Sequence, residues 1–147
     1  MNTGKRKGNA MASRREKYPE TSTFHYHNQN PKGRITGDCF FRAISYATGI
    51  QYEQVVRDYA EVVIESGYRD TKSQEILLAK YGWKKCAQPK HSNGKKYTVK
   101  EFVKAFKDDV YIINMANHLS VVEYGVNIDI WDCVKFGGCV GNYFVKG

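Results

Sequence analysis

Helical periodicity through the first two thirds of the chain, followed by strand-like segments in the last third, predicts an α+β protein. Two capping-box signatures, Thr71-Lys72-Ser73-Gln74 and Thr98-Val99-Lys100-Glu101, mark helix starts in the first part. In the second part, residues 110–114, 118–122, 126–130 and 140–145 are rich in β-branched and aromatic side chains, and Tyr124-Gly125 is placed to turn a hairpin. Helices first and an antiparallel sheet afterwards is the expected order.

The elements follow one another along the 147 residues. Up to Lys17 the chain carries six basic residues, Lys5, Arg6, Lys7, Arg14, Arg15 and Lys17, against Glu16 alone, which is more than half of the net charge of +8. Residues 1–17 lack hydrophobic periodicity and are expected to form a mobile basic tail, able to touch nucleic acid or an acidic partner. Residues 18–147 then make a single domain. Its first stretch, 18–32, holds Pro19, Pro31 and a polar His/Asn/Gln run, the pattern of an irregular or extended lead-in. A first helix follows, with Asp38 as N-cap, Phe41, Ile44, Ala47 and Thr48 on one face, and Gly49 as terminator. Val55, Val56, Tyr59, Val62 and Val63 recur at helical spacing, ended by Gly67. The Thr71 box precedes Ile76, Leu77, Leu78 and Tyr81, and Gly82 closes that helix. Residues 83–88 form a short strand, 91–96 a polar loop, and the Thr98 box opens a helix running through Phe106.

Several function classes drop out. No apolar run approaches the roughly 20 residues of a membrane span. The first residues carry no apolar segment of the secretory type, so a cytoplasmic protein is expected. The four cysteines, Cys39, Cys86, Cys133 and Cys139, form no C-x-x-C pair and no zinc spacing with histidine, and neither metal nor cofactor is expected. A Cys133–Cys139 disulfide would suit only an exported protein.

Cysteine chemistry needs a thiolate, a base and a group that orients the base. Cys39 directly follows the expected cap, where free N–H groups and the helix dipole favour negative charge. Gly37 leaves room for a substrate backbone, and Phe40 and Phe41 can anchor the helix around the thiol. His118 opens an apolar strand far downstream. If Tyr124-Gly125 is a two-residue turn, Glu123 faces Val126 and His118 faces Trp131. Asp129 then shares the face of His118, one diagonal step away. Asp132 has the opposite parity and reaches that face only through a bulge, which makes it the alternative third member.

These blocks, T-G-D-C-F-F-R-A-I-S-Y-A-T-G and H-L-S-V-V-E-Y-G-V-N-I-D-I-W-D, resemble small phage and bacterial proteins of the papain-like cysteine peptidase superfamily. G-D-C-F-F-R-A also resembles the nucleophile segment of ovarian-tumour-type deubiquitinases. The resemblance implies a papain-like fold, a Cys-His-Asp triad with Cys39 as nucleophile, His118 as general base and acid and Asp129 as orienting residue, and a peptide or protein substrate. Where papain-like peptidases often carry a glutamine six residues before the cysteine, this chain has Gly33, and where ovarian-tumour-type enzymes carry an aspartate three before it, Thr36. Asn30 is the best upstream side-chain oxyanion donor, with Gln29 next, beside the backbone N–H of Cys39. Arg42 is expected to pair with an acidic residue structurally, and Trp131 to belong to the core. His25 and His27 lack metal-ligand company. A rim of lysines over 84–100, with the tail, supports an alternative in which a catalytically silent papain-like scaffold binds nucleic acid or a host protein.

Overall fold

The structure, a computed structural model, describes residues 14–147. The expected mobile tail lies mostly on residues 1–13, outside the described residues. Residues 14–17, expected to belong to that tail, form a helical turn against the domain. Arg14 Nε donates to the Ile130 carbonyl at 2.8 Å, and the Arg15 guanidinium sits 5.2 Å over the Tyr26 ring. Two of the tail's cations are thus engaged with the protein's own surface, and the folded body starts before residue 18.

In chain order the elements are β1 (Phe24–Tyr26), α1 (Cys39–Thr48), α2 (Tyr52–Ser66), α3 (Thr71–Lys80), β2 (Trp83–Cys86), α4 (Val99–Ala105), β3 (Val110–Met115), β4 (His118–Glu123), β5 (Val126–Asp129), α5 (Cys133–Phe136) and β6 (Tyr143–Lys146). The protein is α+β, with most helices early and the sheet built mainly from the later chain. The six strands run in the order β1-β5-β4-β3-β6-β2. The sheet is mixed rather than antiparallel throughout, because β1 pairs parallel with β5. Among the described residues, no helix is long and apolar enough to cross a membrane.

Both hairpin expectations at β4 hold. Glu123 pairs with Val126, and Tyr124 (φ 48°) and Gly125 (φ 80°) both take the left-handed conformation that a two-residue turn of this kind requires. A Cβ on Gly125 would also come within 3.1 Å of the Val103 carbonyl, so both backbone conformation and space favour glycine here. At the other end of β4, Met115 pairs with His118 across Ala116 and Asn117. His118 therefore opens its strand immediately after a tight turn.

Strand alternation divides the core between the two faces. Ile112, Leu119, Val121, Ile128 and Phe144 pack with Phe40, Ala43 and Ile44 of α1 and with Val55, Val62, Leu77 and Leu78 of α2 and α3. Tyr111, Ile113, Met115 and Val122 pack on the opposite side with Val99, Phe102 and Val103 of α4 and Cys133 of α5. Burial of these side chains contributes about 1.5–3 kcal/mol each.

Two helix starts differ from expectation. Asp70, not Thr71, caps α3, accepting from Lys72 N, while Ser73 turns inward to the Tyr68 carbonyl. The α1 face also shifts. Phe40, Ala43 and Ile44 are buried together with Arg42 and Ser45, whereas Phe41, Ala47 and Thr48 are only half-buried. The Thr98 box forms as expected, with Thr98 and Glu101 capping each other's backbone.

Candidate active site

Cys39 is the first residue of α1, and Asp38 occupies the cap position before it. Asp38 makes no capping hydrogen bond. Its carboxylate is drawn instead to the Arg42 guanidinium, one turn along the same helix, and accepts from Tyr52 Oη at 2.6 Å and Asn30 Nδ2 at 2.9 Å. This leaves the N–H groups at the thiol end of α1 without a side-chain cap.

His118 and Asp129 meet where β4 and β5 part. The β4–β5 ladder runs from Glu123–Val126 to Val121–Ile128, and β5 continues alongside β1, with Tyr26 opposite Asp129. The space beyond the ladder is filled by polar side chains. His118 Nε2 and Asp129 Oδ2 are 2.7 Å apart, and Ser120 Oγ donates to the same oxygen at 2.5 Å. Asp129 Oδ1 accepts from Ile130 N at 2.7 Å. The fully buried Asn127 donates to Ser120 Oγ at 2.9 Å and to the Val121 carbonyl at 3.0 Å, and accepts from Cys133 N. The Trp131 ring lies 4.9 Å from the His118 ring and is half-buried.

With Nε2 committed to Asp129, Nδ1 is the imidazole nitrogen left for the thiol of Cys39, which borders the same cleft and lies close enough for each group to shift the other. Burial pushes the Cys39 thiol up. The hydrogen bond to His118, one from the Leu119 backbone and the charges of His118 and Arg42 outweigh it, and the thiol ends below its ordinary value. Burial likewise disfavours the His118 imidazolium, but the hydrogen bonds and charges of Asp129 and Cys39 push its pKa up to about 9. Burial would raise Asp129, yet His118, Ser120 and Ile130 N hold it lowered. All three shifts run towards the charged form: the thiol is lowered, the imidazole raised and the carboxyl lowered.

Asp132, the alternative third member, is buried elsewhere. It caps α5, accepting from Val134 N and Lys135 N at 3.0 and 3.1 Å, so its parity keeps it from His118. Asn30 is not directed at the thiol. Its Nδ2 is held by Asp38, and its Oδ1 accepts from Lys32 N, so the amide fastens the loop before the nucleophile. Gln29 borders Cys39 in a small cavity of about 10 Å³, but its amide is fixed between His27 Nε2 and Ser45 Oγ.

On the outer side of the thiol lies a cleft of about 350 Å³ bounded by Cys39, His118, Thr71, Gln74, Asn114 and Asn117. Gln74 comes from the first turns of α3, Asn114 and Asn117 from the β3–β4 hairpin. No local sequence signal ties these carboxamides to Cys39; only the packing of three distant segments does. Arg42 lies inside the site as well, and its sequence signal was its place one turn after Asp38.

His118, Asp129 and Cys133 bring potential donor atoms within 4.8 Å of one another. The first two are bonded to each other, and burial and the charge of Asp129 push the Cys133 thiol far up. All four cysteines are free.

Compared with protein-family models, with curated proteins and with solved structures, the chain has no match in any of the three.

Proposed function

We propose that the protein is a thiol hydrolase of the cysteine peptidase or isopeptidase kind, with Cys39 as nucleophile, His118 as acid and base and Asp129 as the group that orients His118. The observation that carries this proposal is that Cys39 and His118 border one cleft with Asp129 bonded behind His118, the thiol being lowered and the imidazole raised. The papain-like arrangement belongs to the same proposal and is supported by the resemblance of the two sequence blocks. So does a cytoplasmic location, which four free thiols favour.

In this reaction the Cys39 thiolate attacks the carbonyl carbon of a peptide or isopeptide bond lying in the 350 Å³ cleft, a volume in the range of ordinary ligand sites. The developing oxyanion takes hydrogen bonds from the uncapped N–H groups at the start of α1. His118 passes its proton to the leaving amine as the C–N bond breaks, leaving a thioester on Cys39. His118, now neutral, takes a proton from water as the water oxygen attacks the thioester. The C–S bond breaks, a carboxylic acid leaves and the thiolate–imidazolium pair is restored.

The decisive experiment is labelling with iodoacetamide followed by peptide mass mapping, beside hydrolysis of a quenched peptide library. Cys39 is expected to react at neutral pH far faster than Cys86, Cys133 or Cys139. Absent or ordinary reactivity at Cys39 in the folded protein would falsify the proposal.

A further inference from the structure

Arg42 is the buried group that the proposed reaction leaves without a task. Its side chain is only 7% exposed, and a buried guanidinium persists only where anions and acceptors surround it. Its NH1 reaches the Asp38 carboxylate and, at 3.3 Å, the Thr36 carbonyl, both in the segment leading into Cys39. Its NH2 lies 3.6 Å from Asp129 Oδ1, the oxygen that does not hold His118. One planar cation therefore touches the residue before the nucleophile and the carboxylate that orients the base. These two anchors are 91 residues apart in the chain and lie on separate elements.

We infer that Arg42 is a positioning residue, a charged strap that fixes the start of α1 against Asp129 and so holds Cys39 and His118 in register. This inference rests on the thiol hydrolase proposed above. The fork geometry is what the task requires. A guanidinium can serve two carboxylates from two nitrogens at once, whereas an ammonium is a single point charge. The surrounding groups agree. Asp38 is further braced by Tyr52 from α2, and Asp129 by Ser120 from β4, so neither anion depends on Arg42 alone for its hydrogen bonds.

Arg42 also alters the charge around the thiol. With a thiolate at Cys39, the cluster holds three negative groups, Cys39, Asp38 and Asp129, and two positive ones, His118 and Arg42. The other titratable side chains near it are Tyr52, whose Oη donates to Asp38 at 2.6 Å, His27 and Tyr46, which border the cavity behind Cys39, and Cys133, whose Sγ is 3.4 Å from Asp129 Oδ2. Removing Arg42 leaves three negative charges facing one imidazolium, which favours protonation of the thiolate.

The test is the pH dependence of Cys39 alkylation by iodoacetamide in the full chain, measured for wild type, Arg42→Gln and Arg42→Lys, with folding checked by circular dichroism. In wild type the rate should persist into the acid range. In Arg42→Gln the acid limb should move to higher pH, with severalfold slower labelling at pH 6. Arg42→Lys, which keeps the charge but serves one carboxylate only, should fall between the two. A folded Arg42→Gln protein with the wild-type profile overturns the inference. Should Arg42→Gln not fold, Arg42→Lys carries the test, and a wild-type profile there overturns it equally. A wild type whose own Cys39 lacks the acid-range reactivity instead defeats the hydrolase proposal, so the two failures are separable.

Discussion

Two thiols approach the same carboxylate network from opposite sides, and they are held in opposite states. Cys133 Sγ is 3.4 Å from Asp129 Oδ2 and 3.7 Å from Ser120 Oγ, and its residue is fully buried. Burial and the charge of Asp129 push its pKa far up. Cys39 is half-buried, shares a cleft with His118 and lies within reach of the charges of His118 and Arg42, and its thiol is lowered. Nearness to a triad-like cluster therefore does not make a nucleophile. What separates the two is the sign of the nearest charge: Cys133 meets the carboxylate, Cys39 meets the imidazolium that the carboxylate sustains. Exposure follows the same division, since only Cys39 borders the cleft.

The strongest way to break this contrast is to exchange the roles by deletion. Cys39→Ala should abolish both fast iodoacetamide labelling and peptide hydrolysis, with Cys133 still present. His118→Ala should lower hydrolysis by about 10²–10⁴-fold, the usual range for loss of a positioned acid–base group. It should also return Cys39 to the reactivity of an ordinary thiol. Hydrolysis surviving in Cys39→Ala would place the chemistry elsewhere.

Asp129→Asn tests the shared member. The amide keeps the shape but removes the charge that raises His118 and faces Arg42. The His118 titration, followed by NMR of the imidazole, should fall from about 9 towards its ordinary value of 6.5. Leaving Arg42 short of one anion should cost about 3–5 kcal/mol of stability, as breaking buried pairs usually does. Urea unfolding measures this. An unchanged imidazole titration would show that Asp129 does not hold the base.

A subtler consequence concerns stability against pH. The folded state binds the His118 proton more tightly than the unfolded chain, because the folded pKa is raised to about 9 from 6.5. The contribution is fully present below about 6.5 and is lost as pH rises through about 9. Cys39→Ala, in which the opposing contribution of the lowered thiol is gone, should thus show a falling urea midpoint over that window, and the Cys39→Ala/His118→Ala double variant a flatter one. The same deprotonation removes the acid that the leaving amine needs. Hydrolysis should decline above about pH 9, while alkylation of Cys39, which needs only the thiolate, should not.

Part of this site was legible in the sequence because it depends on short-range geometry. The two-residue turn at Tyr124-Gly125 sets the register, and register alone places Asp129, not Asp132, on the side of His118. The Thr98–Glu101 box was readable for the same reason. What escaped depends on partners distant in the chain. β1 has only three residues, two of them aromatic and one histidine, and becomes a strand by pairing with β5 more than 100 residues later. Asp38 occupies the cap position but is claimed by Arg42, Tyr52 and Asn30, so a correct location came with a different role. With Phe40 and Phe41 adjacent, helical spacing allowed either face of α1 to be the buried one, and packing on β4 chose the face of Phe40 and Ala43. The cleft carboxamides Gln74 and Asn114 belong to α3 and β3, and nothing local marks them.

The smallest expected effect sharpens the comparison from the buried side. Cys133→Ala removes one sulfur from a packed position and a weak S–H donor from the Asp129 network. Its cost should be about 1 kcal/mol, typical of a modest core truncation. Because that thiol stays protonated across the working range, its removal takes away no charge. The pH profile of Cys39 alkylation should therefore overlay that of wild type, even as the urea midpoint drops slightly. A displaced profile would mean that Cys133 shapes the charge at the site, and the difference between the two thiols would then be one of exposure alone.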